Sequence, residues 1–277
     1  MKKFIKFRPQ IKSRHPSHNG LRTKLPLLNF KSIVRLGSST ILDDNRIEIN
    51  SISSIVNSSN KLLMKQCFDN NLVTTANWGT FANNGLGDLF DVVDNKGNFV
   101  DPINIQYPIV VKNIYGSRGT GNTLVKSSKE FLKFMEFRKL DNYIYESFFT
   151  GNKEYRLHIS KNGCFYTNRK MLKDNVNKNN RWFRNNSNCV WIKEDSENFD
   201  KPSNWDDVVN ASVKALESVG LDIGAVDLKI QSSTDNHGNV REYPKFIVIE
   251  INSAPSFGEV TELKYLEEIP KLLLSKQ

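Results

Sequence analysis

Two apolar segments near the C-terminus each hold a carboxylate where a strand interior tolerates none. Asp227 lies within IGAVDLKI, and Glu250 and Asn252 lie within FIVIEINSAP. A carboxylate among Phe246, Ile247, Val248 and Ile249 cannot be buried cheaply unless something compensates it. Glu250 and Asn252 are two residues apart, so on a strand they project to the same side. Two carboxylates about 4 Å apart repel by roughly 4 kcal/mol at an effective dielectric of 20. A divalent cation removes that cost, and an all-oxygen donor set with an amide suits Mg2+ or Mn2+. The competing reading is a half-exposed edge strand whose acids pair with Lys229 or Lys245.

A second pattern lies upstream, in YPIVVKNIYGSRGTGNT (107–123). An apolar strand ends in Lys112 and is followed by a loop containing Gly116, Ser117, Gly119 and Gly121. Small residues let backbone N–H groups approach phosphate oxygens closely, and a lysine at the strand end adds a point charge. An ordinary flexible turn after an exposed lysine fits the same residues. Gly116 and Gly121 have P-loop spacing, but Asn122-Thr123 stands where Lys-Ser/Thr is required, and an extended Leu124-Val125 follows. A P-loop NTPase is therefore excluded, and a kinase glycine loop is absent. In ESFFTGNKEYR (146–156) and beyond, Glu154, Arg156 and His158 share one strand face, while Tyr155, Leu157 and Ile159 share the other. The polar face is either solvated or lines a ligand cleft. In a cleft, Glu154 suits ribose hydroxyls and Arg156 suits phosphate or carboxylate.

The net charge of +9 is unevenly placed. Residues 1–35 hold six lysines and four arginines and no acid, and the first acidic residue is Asp43. Without those ten, 29 basic residues face 30 acidic ones, so the basicity reads as that of an N-terminal tail. Such a tail reaches toward nucleic acid, an acidic partner or a membrane surface, serves as a targeting leader, or is simply solvated. Cys67, Cys164 and Cys189 are scattered without paired spacing, which favours a reduced, cytoplasmic setting over a disulfide scaffold. No run of about 18 apolar residues exists to cross a membrane.

Helices are expected over 60–70, 127–140, 204–219 and 259–276, the last broken at Pro270. Strands are expected over 107–112, 143–149, 154–160, 164–170, 224–230 and 245–251. Without strict βαβ alternation, this order predicts an α+β fold with antiparallel sheets. The asparagine-rich stretch 175–188, which carries Arg181, Trp182, Phe183 and Arg184, reads as a long polar loop. Residues 232–243 read as a hairpin extension.

Taken in order, strand-Lys-glycine loop, helix, strand-Glu, Glu-x-Arg strand, Asp strand and Glu-x-Asn strand, the chain resembles the ATP-grasp superfamily over roughly residues 60–258. The branch it is similar to is that of carboxylate–amine ligases such as ribosomal-protein glutamate ligases, glutathione synthetases and D-alanine–D-alanine ligases. The resemblance implies two α+β subdomains that grip the nucleotide between antiparallel sheets. It divides the chain into a basic tail (1–29), a reduced N-terminal segment (30–75), a lid subdomain (76–147) and a core, metal-binding subdomain (148–277).

By the same resemblance, Lys112 is the phosphate lysine before a lid loop of Gly116, Ser117, Gly119 and Gly121, and Lys61 is an earlier nucleotide contact. Glu146 with Ser147 and Phe148 forms the adenine hinge, and Glu154 is the ribose acid. Arg156, Arg169 and Lys170 are catalytic cations. Asp227, Glu250 and Asn252 hold Mg2+ or Mn2+, with Pro255 after them. The implied activity is ATP-dependent amide formation through an acyl phosphate, from a carboxylate and an amine that include peptide or protein acceptors. The alternative is a non-catalytic nucleotide-fold protein acting through its basic tail on nucleic acid or an acidic partner.

Overall fold

The computed structural model describes residues 5–41, 46–85, 89–116, 119–136, 138–185, 187–235 and 237–277. Three sheets follow one another along the chain. The first is parallel, in the order β1 (Gln10–Lys12), β2 (Ser32–Arg35), β3 (Ile47–Ile49), with α1 (Asn19–Lys24) between β1 and β2. Here the expectation of a basic tail over 1–29 is corrected. Leu21, Leu25 and Leu28 recur at helical spacing, and with Ile11 they join the core formed by Tyr265, Ile269, Leu272 and Leu273. Of the charges that suggested a leader, Lys6, Arg8, Arg14, Arg22, Lys24 and Lys31 are exposed on a folded segment, whereas Arg35 is fully buried and paired with Glu48.

Residues 13–18 tie this segment to the far end of the chain. His18 is fully buried. Its Nε2–H donates to the Pro255 carbonyl (2.8 Å), and the Ser13 hydroxyl donates to its Nδ1 (2.6 Å). The ring lies 4.3 Å from that of Phe257, whose N–H donates to the Ser17 hydroxyl (2.9 Å).

Next come α2 (Ile52–Ser59) and α3 (Lys61–Asn70). The Asn60 side chain caps α3 by accepting from the N–H groups of Leu62 and Leu63. Ile55, Met64 and Phe68 of these helices enter the core beneath the third sheet. The second sheet comprises β4 (Trp78–Asn83), β5 (Phe90–Asp94), β6 (Ile109–Asn113), β7 (Thr123–Val125) and β8 (Tyr143–Ser147), antiparallel in the order β5-β4-β8-β6-β7. Phe131 and Phe134 of α4 (Ser128–Glu136) cover one face.

The third sheet comprises β9 (Lys153–Ser160), β10 (Gly163–Leu172), β11 (Cys189–Lys193), β12 (Ile223–Ile230) and β13 (Phe246–Asn252), antiparallel in the order β11-β10-β9-β12-β13. On its covered face Tyr155, Leu157 and Ile159 meet Trp205, Val208 and Leu216 of α5 (Trp205–Val219). Gly220, at φ 79°, ends α5 in the left-handed conformation that glycine adopts without strain. The last helix, α6 (Glu259–Ser275), runs through Pro270 without the expected break. Tyr265 and Ile269 before the proline, and Leu272 and Leu273 after it, bury in one core and hold the two halves in line.

The α+β organisation expected from the sequence is therefore the one the chain adopts, with its two large sheets antiparallel. Between 232 and 243, Thr234 and Val240 form an antiparallel bridge. No helix among the described residues is long and apolar enough to cross a membrane.

Burial holds two histidines neutral. It lowers the His18 pKa to about 4 and, on β9, that of His158 to about 3. An unfolded chain takes up these protons near pH 6.5. The stability they carry is thus complete above pH 6.5 and is lost as pH falls toward 4 and 3. Well inside that window each histidine costs about 1.4 kcal/mol per pH unit. Urea unfolding at pH 7 and pH 5 should show a lower midpoint at pH 5, with the difference reduced in His18→Asn. Identical midpoints for the wild type at the two pH values would contradict this account.

Candidate active site

The face of the third sheet opposite α5 carries a charge lattice. In register across the strands, Lys170 of β10 stands beside Glu154 of β9 and Glu154 beside Lys229 of β12. One step along, Arg156 stands beside Asp227 and Asp227 beside Glu250. Opposite charges therefore alternate across β9 and β12, as cross-strand pairs favour. Arg156 donates to both oxygens of Asp227 (Nε–Oδ1 2.7 Å, Nη2–Oδ2 2.8 Å), and Lys170 donates to Asp227 Oδ2 (2.9 Å) and Glu154 Oε1 (2.7 Å). Trp191 of β11 underlies both cations, 5.0 Å from Arg156 and 5.4 Å from Lys170. Burial alone would raise the pKa of Asp227, but Arg156 and then Lys170 overcome it and hold the carboxyl well below the usual range.

β13 adds a bulge. Its pairing with β12 skips Ile249, so Asp227 faces Glu250 while Leu228 faces Val248. Consecutive residues Ile249 and Glu250 thereby both reach the cleft. Asn252 Nδ2 donates to Glu250 Oε1 (3.2 Å), which leaves its amide oxygen free.

The second sheet supplies the opposite wall. On β6 and β8, Lys112 and Glu146 are diagonal neighbours joined at 2.7 Å. Lys65 of α3, fully buried, is 3.4 Å from the other oxygen of Glu146 and donates to Thr75. Lys61, one turn earlier, donates to the carbonyl of Gly116 and so ties α3 to the glycine-rich loop. In that loop Gly119 and Asn122 line the cleft. Gly121 has φ 80°, and a Cβ there would stand 3.1 Å from that of Asn113. Ser117 lies outside the described residues.

The asparagine-rich loop also contributes to the cleft between the sheets. Trp182 and Phe183 line it. The Trp182 carbonyl accepts from Lys229 Nζ (3.1 Å), and Arg184 donates to the Asn152 carbonyl (2.6 Å), 3.9 Å from Glu154. Lys229 sits over the Phe148 ring (5.1 Å), and burial lowers its pKa to about 8. Burial also lowers the pKa values of Lys61 and Lys65.

Of the residues singled out in the sequence, Lys112, Gly119, Glu146, Ser147, Phe148, Glu154, Lys170, Asp227 and Glu250 line one cleft, Arg156 and Asn252 bond its carboxylates, and Lys61 bonds the glycine-rich loop. Gly116 and Gly121 hold the loop's shape. Arg169 does not converge. Neighbouring strand residues point to opposite faces, so with Lys170 in the cleft, Arg169 turns away and donates to the Asn198 carbonyl (2.7 Å). The hinge also differs from the expectation, because the N–H groups of Ser147 and Phe148 already donate to the Asn77 and Pro108 carbonyls.

Lys65, Lys229, Arg184 and Asn122 were not assigned to the site from sequence. The usable signal for Lys65 was its position one helical turn after Lys61. For Lys229 it was its position two residues after Asp227 on the same face.

Counting the cleft and the groups bonded to its carboxylates, six cations (Lys65, Lys112, Arg156, Lys170, Arg184, Lys229) face four acids (Glu146, Glu154, Asp227, Glu250) among the described residues. Among the described residues, Asn122 Oδ1 and Arg184 Nε in the cleft lack hydrogen bonds, and Glu146 Oε1 is met by Lys65 at 3.4 Å. Both features call for a polar, anionic ligand. As a metal site the set is open. No group of three acidic, histidine or cysteine side chains gathers among the described residues. The three hydrogen bonds to Asp227 leave one of its roughly four lone pairs, and Glu250 and the Asn252 oxygen add hard donors. This chemistry fits a magnesium-sized ion.

No family model matches the chain, and no curated protein matches it by sequence. Among solved structures, it is similar to the D-alanine–D-alanine ligase from Bacillus anthracis. The match to that enzyme complexed with ATP has a TM-score of 0.54 and 16% identity, over 83% of this chain and 68% of the other. A second structure of the same ligase gives a TM-score of 0.53 and 15% identity, over 83% and 69%. The ATP-grasp ligase PsnB complexed with a minimal precursor matches with a TM-score of 0.50 and 13% identity, over 84% of this chain and 65% of the other. Two antiparallel sheets enclosing a cleft, together with these likenesses, identify the architecture: this chain has the ATP-grasp fold.

Proposed function

We propose that the chain is an ATP-dependent carboxylate–amine ligase. The observation that carries the reading is the cation excess in the cleft between the two sheets, with Asn122 Oδ1 and Arg184 Nε along its walls lacking hydrogen bonds among the described residues. A triphosphate supplies the missing negative charge, and Lys112 and Lys229 reach it from opposite walls. Glu146 Oε1 accepts from an exocyclic amine of the base, and Glu154 accepts from ribose hydroxyls. Asp227, Glu250 and Asn252 would hold Mg2+ or Mn2+, which when bound neutralises phosphate charge as a Lewis acid.

In this reading a substrate carboxylate oxygen attacks the γ-phosphorus, the bond to the β–γ bridging oxygen breaks, and ADP leaves. Arg156 and Lys170 stabilise the charge on the transferred group by exchanging part of their hold on Asp227 for phosphate oxygens. An amine then attacks the acyl carbon, loses a proton and expels phosphate. The chain positions these groups and needs no side-chain nucleophile. Trp182, Phe183 and the glycine-rich loop keep water from the acyl phosphate.

Calorimetry should detect ATP binding that strengthens with Mg2+ and weakens at least about tenfold, or about 1.4 kcal/mol, in Lys112→Ala. Absence of binding with and without the metal would overturn the reading. Because a lysine lowered to about 8 faces the phosphates, affinity should fall as pH rises from 7 to 9.5, and less steeply in Lys229→Gln. An affinity flat over that range would remove Lys229 from the nucleotide site.

A further inference from the structure

A second cavity lies away from the cleft between the two large sheets. It lies over the parallel N-terminal sheet, has a volume of about 520 Å³, and is bordered by Arg8, Lys12, Arg14 and Arg22 with Ser38 and Thr40. Among the described residues no carboxylate borders it. A cavity of this size suits a ligand, and its charge pattern says which kind.

Arg8, Gln10, Lys12 and Arg14 alternate with Pro9 and Ile11 along an extended segment that includes β1. Pro9 and Ile11 are buried, Gln10 and Lys12 are half-buried, and Arg8 and Arg14 are exposed. The three cations Arg8, Lys12 and Arg14 are thus spread along one backbone segment that borders the cavity. Two of the guanidinium groups are held by carbonyls rather than by carboxylates. Arg8 donates to Leu25 O (2.8 Å) and Arg22 donates to Ser13 O (2.8 Å). Lys12 and Arg14 have no ion-pair partner among the described residues. A lone phosphate would be met by cations converging on a point, and a single nucleic-acid strand by aromatic platforms. In this cavity the cations are spread along a segment and there is no aromatic lining.

The site also adjoins the nucleotide cleft through bonded neighbours. Ser13, on its rim, bonds His18, and His18 bonds the Pro255 carbonyl, three residues after Asn252. Next to Ser38, a Cβ on Gly37 would stand 2.7 Å from Ala254. From this geometry we infer that the N-terminal strand is a docking site for an acidic peptide segment in extended conformation, its carboxylates spaced to meet Arg8, Lys12 and Arg14. That the docked peptide is the carboxylate substrate of the ligase rests on the function proposed above; the docking does not.

The test is fluorescence anisotropy of a fluorescein-labelled hexaglutamate peptide with the full chain and with the double variant Lys12→Ala/Arg14→Ala. Both residues are outside the hydrophobic cores, and equal thermal midpoints will confirm that the variant folds. Hexaglutamate should bind, more weakly as salt rises, and about tenfold more weakly to the variant, while hexaglutamine should not bind. ATP binding measured by calorimetry should be the same in both proteins. Equal hexaglutamate affinity for the two proteins would overturn the docking site. So would tighter binding by a single-stranded oligonucleotide of equal charge. Hexaglutamate binding with no ATP binding to the wild type would support the docking site and refute the ligase reading.

Discussion

Asp227 has no affordable environment in the middle of a five-stranded sheet unless cations come with it. The fold brings them on neighbouring strands: Arg156 from β9 in a two-pronged contact, and Lys170 from β10. Removing either side of such a buried pair typically costs about 3–5 kcal/mol, because the remaining charge has no solvent to turn to. The lattice therefore fixes the register of β9, β10 and β12 together, since a one-residue slip would carry every charge to the hydrophobic face. The lattice itself is balanced, with Lys170, Arg156 and Lys229 against Glu154, Asp227 and Glu250; the positive excess of the cleft comes from Lys65, Lys112 and Arg184 against Glu146, and it is on this excess that the proposed binding of a polyphosphate rests.

The parts of the site that were legible in the sequence were those whose chemistry conflicts with their surroundings. Asp227 and Glu250 stood out because they interrupt apolar strands, and Glu154 and Arg156 because they alternate with core residues. Arg169 was misplaced because reading it together with Lys170 ignored strand alternation, and two neighbouring residues cannot both face one cleft. Lys65 was missed because a lysine in an amphipathic helix usually faces water, and nothing local reveals that Glu146, 81 positions later, will sit above it. β4 and β5 were missed for a related reason. β4 (WGTFAN) carries Gly79 and Asn83 and β5 (FDVVD) carries Asp91 and Asp94, so neither alternates cleanly, and β4 pairs with β8, far along the chain.

The N-terminal segment shows how charge composition misleads when pattern is set aside. Ten basic residues without an acid suggested a solvated leader, yet Leu21, Leu25 and Leu28 at helical spacing, and Ile11 between two polar neighbours, are the marks of an element with a buried side. The segment packs on α6 and bonds the loop after Asn252. It therefore braces the end of β13 on which Glu250 and Asn252 are mounted, and its stability is coupled to the state of His18.

The measurement closest to the central claim is a crystal structure with Mg2+ and a non-hydrolysable ATP analogue. The account predicts the triphosphate between the two sheets, within hydrogen-bond distance of Lys112 and of Arg156 or Lys170, with the metal on Asp227, Glu250 and Asn252. An analogue bound outside this cleft, or one whose phosphates turn to solvent while the Arg156–Asp227–Lys170 contacts stay closed and no metal binds, would contradict it.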